Sequence, residues 1–111
     1  MRKIVVAMDS FKGSLTTKEA EDAVECGIKK VFPLCDVIKV PISDGGEGIL
    51  DILLSLSGGT EKWLNVTGPS GNKIHARYGV SGVSPNTAFI EMAEAAGLSL
   101  VPLNKRNPLY T

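Results

Sequence analysis

A chain of 111 residues is the size of one small domain, and its 43% hydrophobic and 22% charged residues are ordinary for a globular rather than a disordered chain. Twelve basic residues balance twelve acidic ones, so no charge excess points to nucleic acid or to an anionic membrane as partner. The first apolar run, residues 4–7, is too short for a membrane span or a signal-peptide core, and a cytoplasmic location is expected.

Ile4-Val5-Val6-Ala7 is continuously apolar, as in a strand covered on both faces of a parallel sheet. A polar segment, Asp9-Ser10-Phe11-Lys12-Gly13-Ser14, separates it from a helix. Thr16 and Glu19 form a capping box at the start of that helix. Ala20, Ala23, Val24, Gly27, Ile28 and Val31 then recur at helical spacing, and Pro33 ends the run. Residues 37–42 read as a second strand with Pro41 near its end. After Ser43-Asp44-Gly45-Gly46-Glu47-Gly48 comes an apolar helix carrying Ile49, Leu50, Ile52, Leu53, Leu54 and Leu56, stopped by Gly58-Gly59. Strand–loop–helix, twice over, is a βαβα pattern and predicts a parallel sheet with right-handed crossovers.

The second half changes style. Residues 62–67 and 73–80 read as strands joined by the turn formers Gly68-Pro69-Ser70-Gly71-Asn72. The later strand alternates, with Ile74, Ala76, Tyr78 and Val80 on one face and Lys73, His75 and Arg77 on the other, which predicts a half-exposed antiparallel strand. A turn-rich stretch at 81–86, a short strand at 87–90 and a short helix at 91–96 follow, the helix stopped by Gly97. The break near Gly68 predicts a boundary between residues 1–67, part of a parallel α/β domain, and residues 68–111, the start of a second, mixed or antiparallel α/β domain. The tail, residues 102–111, has two prolines and no periodicity, an unusual way for a compact α/β domain to close.

In open parallel sheets, ligands bind where the carboxyl ends of strands feed helix N-termini. Two segments hold that position. In the first, Asp9 opens a loop with the hydroxyls of Ser10 and Ser14, the ammonium of Lys12 and a flexible Gly13, a set suited to phosphate or carboxylate; a solvated loop with a capping serine is the plainer alternative. In the second, three glycines within four positions of Asp44 cost conformational entropy and make sense where backbone passes against a ligand. Asp44 or Glu47 can bind Mg²⁺ or accept a proton, yet the same two residues also have capping-box spacing, and both readings can hold. Glu91, before the last short helix, is a helix-start charge or a site residue. His75 lies on an exposed face and reads as a surface residue. Cys26 and Cys35 lack CxxC spacing and read as reduced thiols. The P-loop, GxGxxG and protein-kinase motifs are all missing.

Five segments carry a resemblance: Ala7-Met8-Asp9-Ser10-Phe11-Lys12-Gly13-Ser14, Asp44-Gly45-Gly46-Glu47-Gly48, Val66-Thr67-Gly68-Pro69, Phe89-Ile90-Glu91-Met92-Ala93 and Asn107-Pro108-Leu109. In order and spacing the chain resembles the type-1 glycerate kinase family. The resemblance implies a two-domain α/β enzyme, one domain Rossmann-like with the other inserted into it, that phosphorylates D-glycerate with ATP and Mg²⁺. The loops at 9–14 and 44–48 are then expected to line its cleft. Lys12 would meet an anionic group of substrate or nucleotide, Asp44 would act as Mg²⁺ ligand or base, and the amides of Gly45 and Gly46 would face phosphate. Met8, Ile49 and Ala96 depart from the proline, threonine and serine usual in the family. Family members also run well beyond Asn107-Pro108-Leu109, so the chain is expected to be a piece of a longer enzyme, inactive alone and prone to associate through exposed sheet edges. The alternative is a non-catalytic ligand-binding or interaction domain derived from the kinase's front half.

Overall fold

A computed structural model describes residues 2–109, which form a mixed α/β structure with one parallel and one antiparallel sheet. They group into two compact units, one ending at Asp44 and the other beginning at Gly45.

In the first unit, β1 (Lys3–Val6) and β2 (Asp36–Lys39) pair in parallel, from Lys3 opposite Asp36 to Val6 opposite Lys39, with α1 (Thr17–Val31) between them in the chain. Backbone bonding continues past the strand ends, since Val40 N–H donates to the Val6 carbonyl at 2.8 Å and Ile42 N–H to that of Met8 at 3.1 Å. Alternate residues of this strand donate towards β1. Pro41 falls between two donors, where its missing N–H removes nothing from the ladder.

The capping box starts α1 as expected: Glu19 N–H donates to Thr16 Oγ1 at 3.3 Å, and Thr16 N–H to Glu19 Oε2 at 2.8 Å. The helix lies over the face of β1 and β2 that carries Val6 and Lys39. There Val6 and Ala20 are buried, and the Lys39 ammonium reaches Asp22 at 2.6 Å and Glu25 at 2.8 Å. The opposite face is open, with Val5 59% exposed, which corrects the expectation of a strand covered on both sides. An apolar run reports the tendency to form a buried strand. Cover must come from a second layer, and among the described residues this unit has one helix.

The second unit contains α2 (Ile49–Ser57), β3 (Thr60–Thr67), β4 (Lys73–Val80), β5 (Ala88–Phe89) and α3 (Ala93–Ala96). Gly58 ends α2 in the left-handed conformation, φ 57°, as its sequence predicts. β3 and β4 form a hairpin in register from Thr60–Val80 to Thr67–Lys73, and β5 adds antiparallel to the end of β4 through Val80–Ala88 and Gly79–Phe89. Gly68, where a boundary was expected, lies in the turn of this hairpin. A short 3-10 turn, Leu98–Leu100, follows α3, and the tail forms a second, Leu103–Lys105; its last residues, Tyr110 and Thr111, lie outside the described ones.

β4 overturns one expectation. The Lys73/His75/Arg77 face is exposed only at its start, because further along it carries α2. A Cβ at Gly79 would stand 2.8 Å from Leu54 Cδ2 and 2.9 Å from Leu50 Cδ1. Glycine at the next position on that face lets the helix lie close, and Leu50 becomes fully buried, at 0% exposure. Alternation marked two faces correctly but took charge for exposure.

Candidate functional site

In the first unit, the parallel pairing of β1 and β2 sends both following segments out at the same end. Their meeting point is Asp9. Its Oδ1 accepts from Ser10 N–H at 2.6 Å, and its Oδ2 from Asp44 N–H at 3.2 Å. Lys12 Nζ stands 3.5 Å from Asp44 Oδ2. Four of the predicted site residues, Asp9, Ser10, Lys12 and Asp44, are therefore brought together across 35 positions of chain.

The loop between them is a tight turn rather than a loose solvated segment. Phe11 N–H donates to the Leu15 carbonyl at 2.9 Å and Ser14 N–H to that of Phe11 at 2.8 Å. Gly13, φ 75°, takes the third place in the turn, where a type II turn needs a left-handed residue. Lys12 is thereby held at a corner, its side chain 64% exposed and that of Asp44 60% exposed. An ion pair this open contributes little stability, about 0–1 kcal/mol, and both charged groups stay accessible to a ligand. The hydroxyl that caps α1 is that of Thr16, so the capping serine of the plainer alternative is not what starts the helix; Ser14 is exposed.

In the second unit, Gly45 (φ 89°) and Gly48 (φ 94°) are both left-handed, and Ile49 N–H donates to the Gly46 carbonyl at 3.3 Å. The chain turns here before helix can begin. The N-cap of α2 is consequently Gly48, which has no side chain to offer. The capping box expected from Asp44 and Glu47 does not form, for Asp44 lies too far ahead of the first helical residue, and Glu47 is exposed.

Glu91 supplies what is missing. Only 6% exposed, it accepts from Gly48 N–H at 3.0 Å through Oε1 and from Leu50 N–H at 2.9 Å through Oε2. It is indeed a helix-start charge, but for α2, more than forty positions earlier in the chain. A carboxylate at a helix N-terminus satisfies orphan donors and meets the positive end of the helix dipole. Those two amides are thus engaged and do not face an outside anion.

Arg77 was missed in the sequence reading, which gave it to an exposed face. Its side chain is 20% exposed and holds Asp51 of α2 through two bonds, Nη1–Oδ1 at 2.7 Å and Nη2–Oδ2 at 3.0 Å. Its Nε donates to Glu94 of α3 at 2.7 Å, and Glu61 of β3 lies 3.4 Å from Nη1. The bond to Asp51, against the cost of burial and with Glu94 assisting, raises its pKa further and keeps the guanidinium charged. No local pattern announces such a hub, since its three carboxylates come from three elements. His75 is exposed beside Trp63, ring centroids 5.4 Å apart, in accord with a surface role. Cys26 is exposed and Cys35 buried, both as free thiols. Among the described residues no three His, Cys, Asp or Glu side chains gather as a metal cage, and no helix is long and apolar enough to cross a membrane.

With this geometry in hand, comparison with known proteins is specific. A family model described as the glycerate kinase family matches residues 4–111. Glycerate 2-kinase of Escherichia coli (strain K12) is 48% identical over 109 residues, which is 98% of this chain and 28% of that protein. Glycerate kinase of Bacillus subtilis (strain 168) is 50% identical over 109 residues, again 98% of this chain and 28% of the relative. A crystal structure of the Salmonella typhimurium LT2 protein assigned as glycerate kinase 2 superposes with a TM-score of 0.69 at 44% identity, covering 97% of this chain and 29% of that one. The chain spans less than a third of the length of these relatives.

Proposed function

The chain belongs to the glycerate kinase family, and we propose that it forms part of an ATP-dependent enzyme that transfers the γ-phosphoryl group of ATP to a hydroxyl of D-glycerate. The observation that carries this reading at the residue level is the meeting of Lys12 and Asp44 beside the Asp9 clamp, at the carboxyl end of a parallel strand pair. Phosphoryl transfer asks a protein mainly to align two reactants and to offset charge on the moving group. An accessible ammonium at a fixed corner and an accessible carboxylate within 3.5 Å of it suit that demand. In this reading Lys12 binds an anionic group of glycerate or nucleotide, and the hydroxyls of Ser10 and Ser14 add donors around it, while Gly13 keeps the corner tight. Asp44 takes the proton of the attacking hydroxyl or holds Mg²⁺. Gly45 and Gly46, next in the chain, offer amides to phosphate, and Glu47 is a further carboxylate for the metal or substrate.

The residues fit Mg²⁺. This ion is commonly held by one or two carboxylates, with phosphate oxygens and water completing its octahedron, and does not need a protein cage. Asp44, with Asp9 behind it, would hold the ion; when bound, it would offset charge on the ATP phosphates. At the level of the complete enzyme, the reading places β1, α1 and β2 in a Rossmann-like domain into which a second domain is inserted further along the chain, in the cytoplasm.

The test is glycerate-dependent ATP consumption by the complete enzyme and its Lys12→Ala variant. Loss of one electrostatic stabiliser of the moving group is expected to lower turnover by about 10²–10³. A variant that folds and turns over at the normal rate removes Lys12 from the site, and a complete enzyme that consumes no ATP with glycerate removes the reading.

A further inference from the structure

The buried carboxylate of Glu91 is a group that the proposed chemistry does not consume. We infer that Glu91 is a positioning residue: it holds the Gly45–Gly48 turn by clamping the amides of Gly48 and Leu50 where α2 begins, and touches no substrate itself. The inference rests on the kinase reading only for what the turn does, not for how it is held.

Three observations point the same way. First, α2 begins from a left-handed glycine and has no side-chain cap of its own. Two permissive conformations within four residues, at Gly45 and Gly48, would leave such a turn mobile unless something outside it supplied the restraint. Second, both oxygens of Glu91 are committed, one to Gly48 N–H and the other to Leu50 N–H, and the group is closed off from solvent. A carboxylate with both oxygens engaged on amides in a buried place is a fixed strut. Third, a second and separate tie joins the same two segments, since Arg77 links Asp51, in the first turn of α2, to Glu94, in the first turn of α3. The start of α2 is fastened to the 91–94 segment twice, once through backbone amides and once through side chains. Fastening of this kind suits a loop whose amides must be in place before a ligand arrives.

The chemistry of the clamp also predicts how it fails. Glutamine matches glutamate in size, but its NH₂ group would point a donor at one of the two amide donors, so Glu91→Gln loses one bond and gains a repulsion. Alanine leaves a small cavity with two unpaired donors at a helix N-terminus, a place that favours a small carboxylate from solution.

The experiment uses the complete enzyme carrying Glu91→Gln and Glu91→Ala, with amide hydrogen exchange and steady-state kinetics measured with and without added formate. Exchange at Gly48 and Leu50 is expected to quicken on the order of tenfold in both variants, while Ala76 on β4 keeps its rate. Turnover is expected to fall about 10²-fold, as for a displaced catalytic geometry, and formate is expected to restore part of it in Glu91→Ala but not in Glu91→Gln, whose side chain fills the space. A purely structural role would give a loss that formate does not relieve. Unchanged exchange at the two amides, or unchanged kcat and KM in a folded Glu91→Gln enzyme, overturns the inference. Should Glu91→Ala fail to fold, the Glu91→Gln exchange and kinetics decide alone. An unmutated enzyme without kinase activity would remove the kinase reading only, because the exchange measurements test the clamp on their own.

Discussion

Asp9 shows why a carboxylate in a candidate site need not be the group that reacts. Its two oxygens receive the amides of Ser10 and Asp44, so in the proposed reaction it would act through the placement of Asp44. Asparagine would keep one acceptor and turn an NH₂ group towards the other amide. Asp9→Asn is therefore expected to lower turnover of the complete enzyme by about 10²-fold while leaving thermal stability nearly intact, and a stability loss without a rate loss would demote Asp9 to a fold residue. A second carboxylate, Glu19, belongs wholly to stability. The Thr16 amide, and then the Thr16 hydroxyl, lower its pKa below the ordinary 4.5. A carboxylate with a lowered pKa contributes stability that is fully present above its ordinary value and is lost as pH falls through the lowered one. Glu19→Gln should thus depress the melting temperature at about pH 7, and progressively less as pH falls below the ordinary carboxylate range. Equal depression throughout would mean that the capping box owes nothing to charge.

At the scale of elements, close packing of α2 on the β4 sheet depends on two glycines that differ in what surrounds them. A Cβ at Gly79 meets the flexible ends of Leu50 and Leu54, whereas one at Gly82 runs into the carbonyl oxygens of Ser57 and Gly58. Leucine tips can move and backbone cannot. Gly82→Ala is accordingly expected to cost more than Gly79→Ala, with the pair inside the range of about 1–3 kcal/mol typical of overpacking, as read by denaturant unfolding. The reverse order would show that the helix shifts more readily than its side chains. The same contrast explains what was legible in the sequence. The first helix was plain from its 3.6-residue period and the second from its apolar run, and the Thr16–Glu19 box and the Gly58 stop were plain because each is settled by residues within four positions. The hairpin followed from alternation and turn formers. Asp9, Lys12 and Asp44 could be proposed together because the βαβ pattern implies neighbouring loops. Glu91 could be marked as a helix-start charge, but its partner and those of Arg77 could not be read, for they lie far away in sequence, and nothing in a local pattern says that a carboxylate near residue 91 caps a helix starting at residue 49. The capping box assigned to Asp44 and Glu47 failed for a related reason: correct spacing was present, but two left-handed glycines delayed the helix.

At the scale of the whole molecule, the chain leaves unusual amounts of apolar surface in water. Val5 on the open face of the β1–β2 pair, Val31 of α1, and Ile90 and Met92 beside Glu91 are all well exposed. A parallel sheet is stable when both faces are covered, and two strands with one helix do not provide that. The chain also amounts to 28% of the length of the Escherichia coli relative. Both facts lead to one expectation for the 111-residue chain prepared alone. It should associate as its concentration rises, bind a hydrophobic dye strongly, and consume no ATP when glycerate is added. In the complete enzyme the same surfaces would be covered, dye binding would drop, and glycerate-dependent ATP consumption would appear. Sedimentation at two concentrations, with the dye and the coupled assay, separates the possibilities. A monomeric, dye-silent chain would mean that these side chains belong to a free surface. Robust turnover by the chain alone would mean that the loops around Lys12 and Asp44 need nothing further to transfer phosphate.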